Sequence, residues 1–435
     1  MSSSRTRQLL FLELNEVNFE YIRRYVARGL LPTFASLLNS QGYARTESER
    51  EYDKLEPWIQ WVTAHTGKTF AEHGVFRLGD IVERDIPQIW EQLEQRGLRV
   101  GAISPMNAKN RLRNAAFFVP DPWTRTEVNA GTTLKNLYEA IAQAVSDNAA
   151  SRVTWQSLLR LLRGFITYGA AVNFPQYTKL AAGSRGRPWR KAMFLDLLLA
   201  DVFVHEVRAT RPDFATLFVN AGAHIQHHYL FCSQVYDGPS RNPDWYVQPG
   251  VDPVLEVYEL YDRIVARVLA EFPQSRIMLG TGLHQNPHGS VTFYWRLKDH
   301  AQFLRTLEIP FESVQGLMSR DFVVCCGSPE RARVTEQMLS AVIAADGTRL
   351  FDVDNRGSDL FVMLTYPHDI ETTATFQLGE RTFGNLRDQV VFVALKNGEH
   401  DGIGYLLDSG RRFDPEAEPI SLADVPKLVE SAVLG

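Results

Sequence analysis

The sequence predicts an α/β protein of three layers, in which a mostly parallel sheet is covered by helices on both faces. Two observations predict this class. Helix-like segments lead repeatedly into short apolar segments, as 189–210 leads into 214–219 and 252–272 leads into 276–282. The short segments are nearly continuous in apolar residues, which is typical of strands buried on both faces. Helix-to-strand steps of this length are typical of a parallel sheet between two helical layers.

The first elements of the chain already alternate between strand and helix. LLFLEL (9–14) is predicted to be a buried strand. The segment 18–30 has helical periodicity, and a second helix is predicted within 31–42. Pro32 suits the first helical position there, because its fixed φ fits a helix start and its missing N–H would have no helical partner.

The later helices carry clearer boundary signals. The helix predicted over 86–97 closes on Gly97 and precedes the strand 98–104. The helix over 252–272 starts with Asp252 as N-cap and Pro253 in the first helical position. Both helices therefore feed strands of the same predicted sheet.

Residues 105–189 do not follow the alternation of helices and strands. We therefore predict that the chain consists of a core and an insertion. Residues 1–104 and 190–435 are expected to form the core. Residues 105–189 are expected to be a helical and loop insertion that caps the carboxyl edge of the sheet, where ligands bind in such folds. The basic stretch SRGRPWRK (184–191) either binds an anionic substrate or is a solvated loop.

Composition limits the classes of function. The net charge of −5 and pI of about 6.2 give no overall basic field, so nucleic acid is not an expected partner. The three cysteines have no C-x-x-C spacing, which favours a reducing compartment. No stretch approaches the roughly 20 apolar residues of a membrane span, and the first residues lack the pattern of a signal peptide. We therefore expect a cytoplasmic protein without a transmembrane segment.

A histidine cluster follows one of the predicted strands. NAGAHIQHH (220–228) places His224, His227 and His228 directly after the apolar run 214–219, in a chain with only 11 histidines. Imidazoles at the end of a buried strand are typical of a metal site or an acid/base site. We read the segment as a turn at the edge of the sheet.

Five segments in order resemble one enzyme superfamily. In the first, polar residues directly follow the predicted strand 9–14. A Thr-Gly step is followed six residues later by His73-Gly74, the histidine cluster comes next, and a Gly-rich loop and the stretch GEHDGIGYLLDSG follow. This series resembles the alkaline phosphatase superfamily, especially its type I phosphodiesterase and nucleotide pyrophosphatase branch, over about 8–104 and 190–410. The segments are 12–22, 54–76, 220–228, 277–288 and 396–410. The resemblance implies an alkaline-phosphatase-like fold, two divalent metals held by Asp and His, and a Thr or Ser nucleophile.

Transferring the superfamily's roles to this sequence shows that carboxylates are lost and imidazoles remain. The first metal-binding Asp falls on Asn15, and the nucleophile falls on Pro57. The Asp of the D-x-x-x-H metal pair is replaced by alanine, while its His is His227. The S-D-H-G step loses its Asp but retains His284, and the last metal-binding His matches His400.

This pattern predicts at most one metal. Two neighbouring dications need several anionic ligands to offset their repulsion, and those anions are missing. A single Zn²⁺ or Mn²⁺ is expected, held by His227, His284 and His400, with Asn15 at the position of the first Asp.

Three further side chains are candidates for catalytic work. Glu56 and Glu16 are candidate general bases next to the metal. Glu56 should lie at a helix N-terminus, where the superfamily's nucleophile lies. His224 is a candidate imidazole that acts at the site or supports a ligand.

Three functions stay open on this sequence. The first is a divergent hydrolase or transferase for a phosphoryl- or sulfuryl-type ester, with a small-molecule or glycan-type anionic substrate. The second is a catalytically inactive relative that binds a ligand or a partner. The third is different chemistry in the same cleft, with a His or Glu in place of the alkoxide.

Overall fold

The computed structural model describes residues 8–146, 154–317 and 319–435. These residues fall into two compact units. The first takes in residues 8–145, 154–287 and Gly398–Gly435, and the second is His288–Asn397. Each unit has its own hydrophobic core.

The strands are numbered along the chain. They are β1 (Leu9–Leu14), β2 (Ala44–Glu47), β3 (Val100–Ile103), β4 (Phe117–Val119), β5 (Phe214–Val219), β6 (Arg276–Gly280), β7 (His284–Leu297), β8 (Ser313–Gly316), β9 (Asp321–Cys325), β10 (Val342–Ala344), β11 (Phe351–Asn355), β12 (Asp359–Leu364), β13 (Phe376–Leu378), β14 (Arg381–Phe383), β15 (Val390–Asp401), β16 (Ile403–Asp408) and β17 (Ile420–Ser421).

The helices are numbered in the same way. They are α1 (Phe19–Val26), α2 (Pro32–Gln41), α3 (Pro57–Thr66), α4 (Phe70–His73), α5 (Ile89–Gln95), α6 (Thr132–Ser146), α7 (Trp155–Tyr168), α8 (Phe174–Ala182), α9 (Arg190–Thr210), α10 (Ala221–Tyr229), α11 (Pro253–Glu271), α12 (His300–Thr306), α13 (Pro329–Ser340), α14 (Leu386–Gln389) and α15 (Val425–Leu434).

The first unit is built on an eight-stranded sheet in the order β17-β2-β16-β6-β1-β5-β3-β4. The five strands from β6 to β4 run parallel, and β16 is antiparallel to both of its neighbours. The central strand β1 pairs Leu12 with Leu217 on one side and with Leu279 on the other. The predicted parallel core sheet is thus confirmed, with the predicted strands 9–14, 214–219 and 276–282 at its centre.

Helices cover both faces of this sheet. Alternate residues of β1 point into two separate cores, since Leu10 and Leu12 belong to one cluster and Leu9 and Phe11 to the other. The first cluster is closed by α1, α2, α9 and α11, and the second by α3, α5 and α15. The fold is therefore the three-layer α/β/α arrangement that the sequence predicts. In the described residues, we find no helix with the length and apolar content needed to cross a membrane.

The division of the chain differs from the predicted one. The described part of 105–189 does not separate from the sheet, because Leu134, Leu137 and Tyr177 join the same cluster as β1. The separate unit is instead His288–Asn397, within the range predicted to be core. It has its own four-stranded antiparallel sheet, β11-β12-β9-β8, and a core that includes Trp295.

Candidate metal centre

The site begins at the residue that follows β1 by two positions. Glu16 has a left-handed backbone (φ 59°) although it is not a glycine, and its N–H donates to the carbonyl of Thr281 at 3.1 Å. Its side chain is buried, with 2% exposed. Such a backbone costs an L-residue of this kind of order 1 kcal/mol or more, so the surrounding contacts must hold it. The turn brings a carboxylate to the carboxyl edge of the sheet.

Three atoms of the kind that bind metal ions lie close together here. They are one oxygen of this carboxylate and one ring nitrogen from each of two histidines. Glu16 Oε2 lies 3.1 Å from His227 Nε2 and 3.1 Å from His400 Nε2. The two imidazole nitrogens are 3.2 Å apart. Four tetrahedral ligands at about 2.0–2.1 Å from Zn²⁺ would be separated from one another by about 3.3 Å. The triangle formed by these three atoms is therefore nearly as large as one face of a tetrahedral zinc site. We call Glu16, His227 and His400 the three-residue centre.

The helix α10 positions His227. Its N-terminus is fixed by Asp196 of α9, whose carboxylate accepts from the N–H of Ala221 at 2.7 Å and from the hydroxyl of Tyr261 at 2.7 Å. Burial raises the pKa of Asp196 to about 6. A Cβ on Gly222 would come within 2.9 Å of the ring of Tyr261, so only glycine permits this close packing. His227 then lies in the last turn of the helix with 30% of its side chain exposed.

Two glutamines donate hydrogen bonds to Glu16, one to its side chain and one to its backbone carbonyl. Gln285 donates from Nε2 to Glu16 Oε2 and to the carbonyl of Ala223. Gln226 donates to the backbone carbonyl of Glu16 at 2.8 Å, and its own Oε1 accepts from the hydroxyl of Tyr258 at 2.7 Å. These contacts fix the carboxylate in one orientation, as supporting hydrogen bonds commonly do for metal ligands.

The charge state of Glu16 is set by its surroundings. Burial alone would raise the pKa of this carboxyl group. The electrostatic effects of His400 and His227, together with their hydrogen bonds, outweigh burial and hold the pKa well below its usual range. Glu16 is therefore an anion at neutral pH and can serve as a ligand or as a partner for a cation.

Glu56 lies on the other side of His400. It is the N-cap residue of α3, followed by Pro57 at the first helical position. Its Oε2 is 3.8 Å from His400 Nδ1, and 37% of its side chain is exposed. The predicted location at a helix N-terminus is found, and it places a carboxylate within reach of both solvent and the three-residue centre.

Asn15 lies next to the centre but its amide is engaged elsewhere. Its Oδ1 accepts from Trp61 Nε1 at 2.7 Å, and its Nδ2 donates to Asn220 Oδ1 at 2.7 Å and to Glu16 Oε1 at 3.2 Å. An amide that donates to Glu16 supports that carboxylate. The structure thus gives the ligand position to Glu16, one residue later than the sequence alignment places it.

The structure does not bring His284 into the group. Its Nδ1 faces the carbonyl of Ile403, and its Nε2 is 3.1 Å from Asn286 Oδ1. Both ring nitrogens are engaged by these partners. The geometry therefore replaces the expected set of three histidines by two histidines and one carboxylate.

His224 is also outside the group. The cluster 220–228 forms the helix α10 and not the expected turn, so residues four apart share a face. The ring of His224 packs edge-on against that of His228, with centroids 5.0 Å apart, and His224 is exposed. Of the three clustered histidines, only His227 reaches Glu16.

Sequence reasoning missed the residues that support the centre. Gln285 could have been found, because it directly follows His284 in a segment that the resemblance singles out. Asp196 gives no such signal, since it stands within a long amphipathic helix. Its role depends on packing between α9, α10 and α11, which no local pattern encodes.

No protein-family model matches the sequence, and no curated protein sequence matches it either. Several solved structures are similar to this chain. They include alkaline phosphatase PafA (11% identity, 99% of this chain and 96% of that chain covered, TM-score 0.49). Others are phosphonoacetate hydrolase from Sinorhizobium meliloti 1021 with phosphonoformate (12%, 98% and 96%, 0.43) and human ectonucleotide pyrophosphatase / phosphodiesterase 5 (9%, 98% and 95%, 0.44).

Proposed function

We propose that this chain is a hydrolase or transferase for a phosphoryl- or sulfuryl-type ester and works with one divalent metal. The supporting observation is the triangle formed by Glu16 Oε2, His227 Nε2 and His400 Nε2, with sides of 3.1–3.2 Å. Three lone-pair donors at that spacing repel one another unless a proton or a cation lies among them. A metal ion satisfies all three together.

The donor set suits Zn²⁺ or Mn²⁺. Two imidazoles and one carboxylate are ligands that both ions accept. Among the described residues, the group contains a single carboxylate, so its charge offsets one dication only in part and leaves the centre attractive to an anionic ester. When bound, the ion supplies positive charge for the ester oxygens and lowers the pKa of a coordinated water or hydroxyl group.

The chain's own residues have separate tasks in this proposal. Gln285 and Asn15 keep Glu16 in its orientation through their amide donors. The partly exposed His227 leaves one side of the centre open to a small-molecule or glycan-type anionic substrate. Glu56 takes the proton of the attacking water at Oε2 as the new bond to phosphorus or sulfur forms and the bond to the leaving oxygen breaks. The leaving oxygen takes a proton from solvent, and Glu56 returns its own to solvent, which its exposed fraction allows.

For the hydrolytic reaction, water is the proposed nucleophile because α3 offers no suitable hydroxyl. Pro57 occupies the position that the superfamily's nucleophile would take. Thr63 and Thr66 direct their hydroxyls to the carbonyls of Ile59 and Val62 within the same helix.

The test uses metal-depleted protein reloaded with Zn²⁺ or Mn²⁺. Initial rates are measured with bis(p-nitrophenyl) phosphate, p-nitrophenyl phosphate and p-nitrophenyl sulfate. We expect metal-dependent turnover of at least one ester, its loss in His227→Ala, and its retention in His224→Ala, which removes an exposed histidine from the same helix. Equal turnover in the two variants would contradict the proposal.

A second candidate function has one observation in its favour. Asn15 and Pro57 stand where the superfamily has a metal ligand and a nucleophile, which is expected of an inactive relative that binds an anionic ligand. Metal binding that depends on His227, without turnover of any of the three esters, would favour this candidate.

A further inference from the structure

One apolar face of α7 is buried against the main core of the first unit. Ser157, Gly164 and Tyr168 are buried, and Leu161 and Phe165 pack against the main core. A Cβ on Gly164 would lie 2.6 Å from the side chain of a leucine of α6, so the two helices touch along this face.

The opposite face of α7 is also apolar, and it is exposed. Its residues recur at intervals of three and four, which places them on one stripe of the helix. Trp155 and Ile166 are each 71% exposed, near the two ends of the stripe. The exposed residues are Trp155, Leu158, Leu159, Leu162 and Ile166. A stripe of large apolar side chains in water is typical of a surface that contacts a partner or a membrane.

The start of α8 extends this surface. The rings of Phe165 and Phe174 are stacked with centroids 6.0 Å apart, so the first turn of α8 adjoins α7. Phe174 is 49% exposed and Val172 is 74% exposed. We call the exposed residues of α7 together with Val172 and Phe174 the apolar ridge.

The charge of this part of the chain is entirely positive. Residues 154–195 contain no Asp or Glu, although the whole chain carries a net charge of −5. Their cations are Arg160, Arg163, Lys179, Arg185, Arg187, Arg190 and Lys191.

Some of these cations are neutralised by acids from elsewhere. Arg160 pairs with Glu139 at 2.8 Å, and Arg187 and Arg190 both pair with Glu256. Arg163, Lys179, Arg185 and Lys191 are exposed. Arg163 stands four residues after the exposed Leu159 on α7 and so borders the apolar stripe. The ridge is thus accompanied by exposed positive charge.

We propose that the apolar ridge docks on an anionic lipid bilayer, with α7 lying in the plane of the headgroups. An amphipathic helix with large apolar residues on one side and Lys or Arg beside them binds such an interface by burying the apolar side chains and attracting the lipid phosphates. The absence of any acid between 154 and 195 favours lipid over a protein partner, because protein interfaces commonly mix both signs of charge. Contact of this kind needs no membrane-spanning helix.

The full-length chain tests this proposal in a sedimentation assay. Vesicles of phosphatidylcholine alone are compared with vesicles of phosphatidylcholine mixed with phosphatidylglycerol. We expect the protein to sediment with the mixed vesicles at low salt and to be released as salt rises, since screening weakens the attraction.

Two double variants separate the apolar and the charged contributions. Leu162→Ser with Ile166→Ser should weaken partitioning more than tenfold, because exposed apolar area no longer enters the bilayer. Arg163→Gln with Lys179→Gln should weaken it about 25-fold, at about fivefold for each cation near the surface. Trp245→Ser removes an exposed aromatic residue elsewhere in the first unit and should leave partitioning unchanged.

Three results would overturn the proposal. They are no sedimentation with mixed vesicles at low salt, unchanged partitioning of the Leu162 and Ile166 variant, and a wild-type dimer that this variant makes monomeric without any vesicle binding. In the last case a second copy of the chain covers the ridge. Circular dichroism of each variant checks that the fold is kept, which is expected because every substituted side chain is exposed.

Discussion

The three-residue centre makes a direct prediction about metal-dependent stability. His227 and His224 stand three residues apart on α10, and only His227 reaches Glu16. Replacing either by alanine changes the same residue type in the same helix. If a metal binds as proposed, His227→Ala removes one of three ligands, whereas His224→Ala removes none.

The size of the effect comes from mass action. An ion present at about 100 times its Kd stabilises the protein that binds it by about 2.7 kcal/mol. The unit that contains the centre has roughly 300 residues. At about 2.1 cal/mol/K for each residue, its unfolding entropy is about 600 cal/mol/K, so the expected rise in Tm is about 4 °C.

The assay is differential scanning calorimetry of metal-depleted protein with graded Zn²⁺. Wild type and His224→Ala should both show the rise of about 4 °C, and His227→Ala should show less than about 1 °C at the same Zn²⁺ concentration. A full rise in His227→Ala would refute the assignment of the ligands. Its absence in wild type would refute the metal itself.

Three further outcomes are expected. Glu56→Gln should lower turnover by a factor of about 10²–10⁴ while leaving the Zn²⁺-dependent rise in Tm unchanged, because it removes a general base and no ligand. A Cβ at residue 398 would lie 2.0 Å from Gln285 Oε1, so Gly398→Ala should weaken Zn²⁺ binding about tenfold in a titration, whereas Gly289→Ala, with open space around it, should not. Burial lowers the pKa of His73 to about 4 from an ordinary 6.5, so the folded state resists protonation and stability is lost as pH falls below 6.5. Between pH 7 and pH 5 the wild type should lose about 2 kcal/mol more than His73→Asn in urea unfolding, and equal losses would contradict this.

The sequence predicts the centre of the fold well because the relevant signals are local. The strands at 9–14 and 214–219 are continuous apolar runs, and both are found with these bounds. The helix after Asp252 begins as predicted, since Asp252 accepts from the N–H of Leu255 and Pro253 follows it. Patterns of this kind depend on a few neighbouring residues.

The ligand set is less accessible to sequence reasoning. Asn15 stands where an alignment expects the carboxylate, and the shift to Glu16 depends on a left-handed backbone at that one residue. The backbone is held by a hydrogen bond to Thr281, which is distant in the chain. His284 matches the superfamily motif, yet its ring turns to Ile403 and Asn286. Long-range contacts decide these three positions.

The boundary of the second unit is hidden from sequence reasoning for a related reason. Several strands of 288–397 are short and alternate buried and half-buried residues, as in DLFVML at 359–364. Such strands look like part of any mixed sheet until their partners are known. The segment 105–189 looks different from the core in composition, but Tyr177 and its neighbours pack on the same helical layer as α9 and α11.

The second unit also interrupts the chain at an informative place. The chain leaves the first unit after Pro287 and returns at Gly398, two residues before His400. Gln285 and Gly398 already lie close together, because a Cβ on Gly398 would collide with Gln285 Oε1. All three residues of the centre stand outside 288–397. A short linker in place of that segment would keep all three residues in the chain, but it would remove most of β7 and β15, the paired strands to which Gln285 and His400 belong. The strands that carry these residues therefore continue into the inserted segment.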